Sequence, residues 1–248
     1  MQVIILCAGY AVRLYPLTQN TPKPLLPVGN RPMLNYLLDK INELREKSTI
    51  HIVTNAKFAS HFDFWATEKK HDFDVRIIND GTTSNDNRLG AIGDLDLVIK
   101  KCGLQDDLLV LAGDNFFTFD LYQFVQSARS HNPFFSIGLY DVKDKLLAKN
   151  YGLVELGQGD KIRSFKEKPE TPETTLASTG IYYFPKQVLP LLDQYLREKN
   201  SPDAPGYFVQ WLIKYSSVFG VILTGSWYDI GDLASYEKVN EWVKNKSV

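Results

Sequence analysis

Short apolar runs alternate with stretches of helical periodicity along most of the chain, a rhythm that predicts βαβ units around a buried, largely parallel sheet. Residues 2–7 form a β-rich run ending at Ala8-Gly9. Pro32 then opens a segment, residues 33–47, in which Leu34, Leu37, Leu38, Ile41 and Leu44 recur at helical spacing. The unit repeats as a strand over 50–54 with a helix near 58–70, and as a strand over 75–78 followed, after a polar loop, by a helix near 89–101. Residues 108–112 predict a strand ending at Gly113-Asp114, and 120–130 a further helix.

The pattern then changes. Residues 134–140, 152–156, 162–165 and 178–184, separated by turn residues, predict added, partly antiparallel strands. Residues 187–197 and 207–215 predict helices, 218–223 a last strand and 233–246 a final helix. No repeat, low-complexity tract or long linker interrupts this order, so one α/β domain over 1–248 with an elaborated second half is expected.

Composition narrows the classes. Hydrophobic residues make up 44% and charged residues 23%, which excludes a disordered chain or a coiled coil. The 28 Lys plus Arg against 29 Asp plus Glu leave a net charge of −1, which argues against nucleic acid or an anionic membrane as a partner held by bulk charge. The opening apolar run VIILCA is far shorter than the roughly 18 residues of a membrane span, so a soluble cytoplasmic protein with no membrane association is expected. Cys7 and Cys102, both in apolar surroundings, read as core thiols in a reducing compartment.

Candidate chemistry begins in the loop LCAGYAVRLYPLTQNTPKPLLPVGNRP, directly after the first strand, where ligands bind in open α/β sheets. A small-residue turn with Gly9, the cations Arg13 and Lys23, and the stiffening Pro16, Pro22, Pro24 and Pro27 suit a polyphosphate. Neither the GxGxxG pattern nor a P-loop ending in Gly-Lys-Ser/Thr is present.

These residues resemble the opening of the sugar-1-phosphate nucleotidyltransferases, the nucleotide-sugar pyrophosphorylases. The family's Leu-Ala-Gly-Gly-x-Gly-Thr-Arg-Leu-x-Pro-Leu-Thr stands here as Leu6 to Thr18, and its Pro-Lys-x-Leu-Leu-Pro-Val as Pro22 to Val28. Ala8, Ala11 and Val12 depart from that pattern, and Val12 offers phosphate a backbone N–H but no hydroxyl. Further along, Leu111-Ala-Gly-Asp114-Asn115, Tyr151-Gly152, Phe165-Lys-Glu167-Lys168-Pro169, Ser178-Thr179-Gly180 and Trp227-Tyr-Asp229-Ile-Gly231 resemble later family motifs in the family's order.

The resemblance implies a Rossmann-like nucleotidyltransferase fold: a mostly parallel central mixed sheet flanked by helices, with antiparallel strands added in the second half. It implies attack by a sugar-1-phosphate on the α-phosphorus of a nucleoside triphosphate, with Mg²⁺ held by Asp114 and Asp229. Arg13 and Lys23 would hold the triphosphate. Lys168 would steer the acceptor phosphate, and Gly152, Glu167, Thr179 and Gly180 would line the sugar pocket. Leu6, Ala8, Gly9, Ala11 and Val12 would bind the nucleotide with Gly90, which matches a base-reading glycine. The family's base-reading glutamine has two counterparts here, Asn79 and Asn85, and Arg88 adds a cation with no assigned role. Transfer of a cytidylyl or uridylyl group to a non-sugar phosphate such as phosphocholine, and a noncatalytic nucleotide sensor, are the alternatives. A homo-oligomer is compatible with all three.

Plainer structural readings stand beside these. Asp114 can open a turn, Asp229 can cap the helix beginning near Leu233, and Lys168 can be a solvated turn charge. A phosphate monoester with a second pKa near 6 is already mostly dianionic at neutral pH and needs no general base. That agrees with His51, His61, His71 and His131 lying outside every motif, as structural or solvated residues. Trp65, Trp211 and Trp242, in helical patterns, read as core or interface aromatics and not as base-stacking platforms.

Overall fold

The computed structural model describes every residue except 47, 69–73, 247 and 248. The first strand, β1 (Gln2–Leu6), is followed by the long loop and its two-residue ribbon, β2 (Pro27–Val28) and β3 (Arg31–Pro32). Helix α1 (Met33–Asn42) turns the predicted apolar stripe, Leu34, Leu37, Leu38 and Ile41, onto the sheet. Next come β4 (Thr49–Thr54), α2 (Ala59–Glu68), β5 (Asp74–Asn79) and α3 (Ala91–Cys102). The middle of the chain supplies β6 (Leu108–Ala112), β7 (Asn115–Phe117), α4 (Leu121–Ser130), β8 (Phe135–Asp141) and α5 (Lys145–Ala148). Then follow β9 (Gly152–Leu156), β10 (Ile162–Glu167), β11 (Leu176–Phe184), α6 (Leu189–Arg197) and α7 (Pro205–Leu212). The chain closes with β12 (Val218–Ile222), β13 (Trp227–Asp229) and α8 (Leu233–Lys246).

Nine strands of the described residues join in one mixed sheet, ordered β10-β9-β11-β6-β1-β4-β5, with β8 between β11 and β12. The β5-β4-β1-β6 half is parallel, as its uninterrupted apolar runs predict, while β11 pairs antiparallel with β6, β8 and β9. Two apolar layers sandwich the sheet. Leu34, Leu37, Phe58, Phe62 and Phe124 cover one face, and Ile92, Leu95, Leu192, Phe208 and Trp211 the other. Helix α8 lies apart from both and packs on Leu14, Val28, Met33 and Phe116.

Several expectations about individual residues resolve here. Cys7 is a core thiol, and burial pushes its pKa up; Cys102 is only half-buried, because it falls on the last turn of α3 beside solvent. His51 is buried in the sheet, His61 packs edge-on against Phe58, and His131 stacks on Phe219. His71 lies outside the described residues. Trp65 and Trp211 are buried, and Trp242 packs on Phe116. The short strands β7 and β13 escape prediction, because three residues carry too little periodicity and their pairing joins positions more than a hundred residues apart.

Candidate active site

The C-terminal edge of the parallel strands opens into two adjoining cavities. One, of about 460 Å³, is walled by the loop after β1 and by the segment that enters α3. The other, of about 410 Å³, lies over β9, β10 and β11. They share Arg13, Ala112, Asp114, Gly180, Tyr182, Pro205 and Gly231.

Leu6, Ala8, Gly9, Ala11, Val12, Arg13 and Lys23 all line the first cavity, as the loop motif predicts. Ala11 takes a left-handed conformation, φ 47°, at the head of the short helical turn 12–14, and its carbonyl accepts a hydrogen bond from the buried Thr18 hydroxyl. This turn carries Arg13 toward the junction of the cavities. Gly90 also lines the cavity, with φ +80° and its α-carbon against the backbone of Pro202 and Asp203. The N–H groups of Ala91 and Ile92, which a side-chain cap would ordinarily satisfy, donate instead to the carbonyls of Asp203 and Pro202.

The two counterparts for the base-reading amide separate cleanly. Asn79 lies outside both cavities, because its side-chain oxygen accepts the Gly81 N–H at 2.8 Å and closes a local turn. Asn85 lines the first cavity. Arg88 is there too, with its Nε donating to Asp203 Oδ1 at 2.9 Å. Sequence reasoning missed Asp94, one turn into α3, which is buried and whose Oδ1 has no hydrogen-bond partner. Burial and the facing Asp80 carboxyl push the pKa of Asp94 up to about 8. Asp80 in turn accepts from the Thr82 N–H and hydroxyl. An acid at a hydrophobic helix face, in AIGDLDLVI, was the available signal.

In the second cavity the predicted Gly152, Glu167, Lys168, Thr179, Gly180 and Asp229 come together from five separate elements and loops. Asn115 ties them: its Nδ2 donates to the Thr179 carbonyl, and its Oδ1 accepts from Trp227 Nε1 at 3.1 Å. Lys168 holds a left-handed turn, φ 44°, straight after β10. Burial pushes the Glu167 carboxyl above its ordinary range, against the opposing pull of Lys168. Residues 204–206 of the segment before and into α7 line this cavity and were missed, since a Pro- and Gly-rich stretch reads only as a turn.

The carboxylates at the junction differ. Lys23, 7% exposed, donates to Asp114 Oδ2 at 2.9 Å. Desolvation opposes ionisation of Asp114, but Lys23 and then Arg13 outweigh it and hold its carboxyl below the usual range. Asp229 is pushed the other way, first by burial and then by the charge of Asp114, against Lys23, Arg13 and Lys168. The helix-cap role falls to another residue: Asp232 accepts the Ser235 N–H at the start of α8, leaving Asp229 to the cavity. Two carboxylates that repel each other across a cation-rich cavity suit a divalent ion that completes its shell with substrate phosphate oxygens. Among the described residues no cluster of three or more His, Cys, Asp or Glu could hold a metal by itself.

The nucleotidyl transferase family model matches residues 2–246. The chain belongs to the nucleotidyl transferase family. Curated relatives match it along nearly its whole length. It is 29% identical over 246 residues, 99% of its length, to the bifunctional protein GlmU of Methanocaldococcus jannaschii, and that match covers 55% of the GlmU chain. It is 26% identical over its full length to the UTP–glucose-1-phosphate uridylyltransferase of Synechocystis, of which it covers 64%. The chain thus spans about half the length of the GlmU relatives it matches. Among solved structures, the "Putative Glucose-1-Phosphate Thymidylyltransferase" of Bacillus anthracis, in complex with a sucrose, superposes with TM-score 0.84 and 25% identity, over 99% of this chain and 96% of that one. A UDP-glucose pyrophosphorylase complexed with UDP-glucose shares the nucleotidyl transferase fold at TM-score 0.81 and 18% identity, over 99% and 98% of the two chains.

Proposed function

We propose that the protein joins a nucleoside triphosphate to a sugar-1-phosphate, giving a nucleotide-sugar and pyrophosphate, within a single catalytic domain over residues 1–248. The observation that carries this reading is the junction of the two cavities at Arg13 and Asp114, which brings a cationic loop and an acceptor pocket to one point. Relatives named for transfer to glucose-1-phosphate, with a uridylyl group in one and a thymidylyl group in another, support the same class of substrates.

In this reading Arg13 and Lys23 bind the triphosphate and offset charge on the departing pyrophosphate. Backbone N–H groups of residues 9–12 face its phosphates, with Val12 contributing only its main chain. Asn85 and Gly90 face the base. Glu167 takes acceptor hydroxyls, Gly152, Thr179 and Gly180 shape the pocket through their backbone, and Lys168 orients the acceptor phosphate for in-line attack. Asp114 and Asp229 would hold Mg²⁺, which when bound supplies charge neutralisation on the reacting phosphates.

A second reading, transfer to a phosphate ester of a quaternary amine such as phosphocholine, draws on one feature. The rings of Tyr151 and Trp227, 4.9 Å apart, line the acceptor cavity beside Asp229 and Asp232, and aromatic faces with carboxylates attract such a cation. Two unpaired thiols and the absence, among the described residues, of any helix long and apolar enough to cross a membrane support a cytoplasmic location.

Pyrophosphate release with Mg²⁺, measured over four nucleoside triphosphates against a panel of sugar-1-phosphates and phosphocholine, tests the proposal. Release with a particular pair, lost in Asp114→Ala, is the expected outcome, and the productive acceptor decides between the two readings. Folded protein that binds triphosphate yet releases no pyrophosphate with any acceptor overturns both.

A further inference from the structure

Glu167 closes β10, and its partner across the antiparallel ladder is Gly152, so no side chain stands opposite it. On its other side lies Gly206, buried in the first turn of α7. A β-carbon on Gly206 would overlap Glu167 Oε2 and sit 2.5 Å from Phe165 Cε1; one on Gly152 would overlap Phe165 Cζ and sit 3.1 Å from the same Oε2. The Glu167 carboxylate and the edge of the Phe165 ring therefore occupy a slot between two backbones that lack side chains. Neither wall can withdraw. Helix α7 is held by the buried Phe208, Val209 and Leu212 and by Gln210 Nε2, which donates to the Phe165 carbonyl at 3.1 Å, while Gly152 is fixed by the ladder itself.

Glycine is a poor helix former, and Gly206 has no positive φ to require it. Close approach is what the position uses. We propose that Gly206 is a positioning residue that aims the Glu167 carboxylate into the acceptor cavity, so that acceptor selection depends on the first turn of α7. The inference rests on the reading of Glu167 as the group that takes acceptor hydroxyls. It extends that reading to a residue that carries no functional group of its own. The same slot strips water from Glu167, in keeping with the raised proton affinity of its carboxyl.

The test is a double-mutant cycle on the purified full chain with the sugar-1-phosphate that supports pyrophosphate release in the panel. Gly206→Ala is expected to raise the KM for acceptor about tenfold while the Kd for nucleoside triphosphate stays unchanged, and in a Glu167→Ala background it is expected to add almost nothing. A Gly206→Ala effect that persists undiminished without Glu167, as a general packing defect would, overturns the proposal. A second measurement needs no turnover: carbon-13 NMR titration of the Glu167 carboxyl, assigned with Glu167→Gln. In Gly206→Ala the titration is expected to move down toward that of an ordinary glutamate as the carboxylate is expelled from the slot. An unmoved titration overturns the proposal, and Gly152→Ala, which closes the slot from the opposite wall, serves if Gly206→Ala does not fold. If Gly206→Ala moves the titration but Glu167→Ala leaves acceptor KM unaltered, the assignment of Glu167 fails and the positioning stands.

Discussion

The two cavities are built in opposite ways. The first cavity takes the largest contiguous part of its lining from one loop, residues 6–24, stiffened by prolines and anchored at the end of a strand whose centre, Val3 to Ile5, is buried. The second cavity is assembled from β9, β10, β11, β13 and the entry to α7, elements spread over the second half of the chain. Their chemistry differs in the same sense: cations on a rigid loop line one cavity, while carboxylates, aromatic faces and bare backbone predominate in the other. A polyphosphate is recognised by charge wherever it is attached, so its site can be local. A polyol acceptor is recognised by shape and direction, which demand walls from distant parts of the chain.

Mutations that remove charge at the junction test this contrast most severely. Lys23→Met is expected to lower kcat/KM about 10²–10³-fold, mainly through nucleotide handling and the loss of the partner that keeps Asp114 ionised, and steady-state kinetics with each substrate varied in turn checks it. Acceptor-only damage from Lys23→Met would erase the distinction between the sides.

Gly90→Ala probes a place where the first cavity depends on a distant segment. A β-carbon there would lie 2.5 Å from the Pro202 carbonyl oxygen and 2.6 Å from the Asp203 Cα, at φ +80°. A loss of about 1–3 kcal/mol in stability by denaturant titration, together with weaker triphosphate binding, is expected.

Asp94→Asn has an effect on stability that depends on pH. The folded state keeps the Asp94 proton up to pH about 8, while an ordinary unfolded aspartate has lost it near pH 4, so the folded state binds more protons in that window. Stability from this group is therefore fully present below pH 4 and falls as pH rises toward 8, with a slope of up to about 1.4 kcal/mol per pH unit. Thermal unfolding from pH 4 to 9 should show that slope flattened in Asp94→Asn. The smallest expected change is Val12→Thr, which restores a hydroxyl beside the phosphates and should tighten triphosphate binding only severalfold, by calorimetry, without altering acceptor KM.

Legibility in the sequence follows the same division. The loop after β1, with Arg13 and Lys23, was readable because its residues are contiguous and its prolines and small residues act locally. The parallel half of the sheet was readable from uninterrupted apolar runs, and the antiparallel addition from the change of rhythm after residue 130. Asn79 and Asn85 stayed equivalent because the Asx turn that removes Asn79 from the cavity depends on where Gly81 folds back. Asp94 and residues 204–206 were missed because their significance lies in what approaches them: Asp80 in one case, Phe165 and Glu167 in the other. No periodicity records such encounters.

The capping of α3 by the Pro202 and Asp203 carbonyls also bears on how these proteins can be recombined. Two stretches more than a hundred residues apart behave as a single cassette, because the donors of one are satisfied only by the acceptors of the other. Grafting a foreign acceptor loop over 199–206 without its matching 85–92 would strand the Ala91 and Ile92 N–H groups, at about 1–3 kcal/mol for each buried donor left unpaired. Chimeras exchanged as that pair should fold and change acceptor and base preference together, whereas chimeras exchanged singly should lose triphosphate affinity, even though the graft lies on the acceptor side.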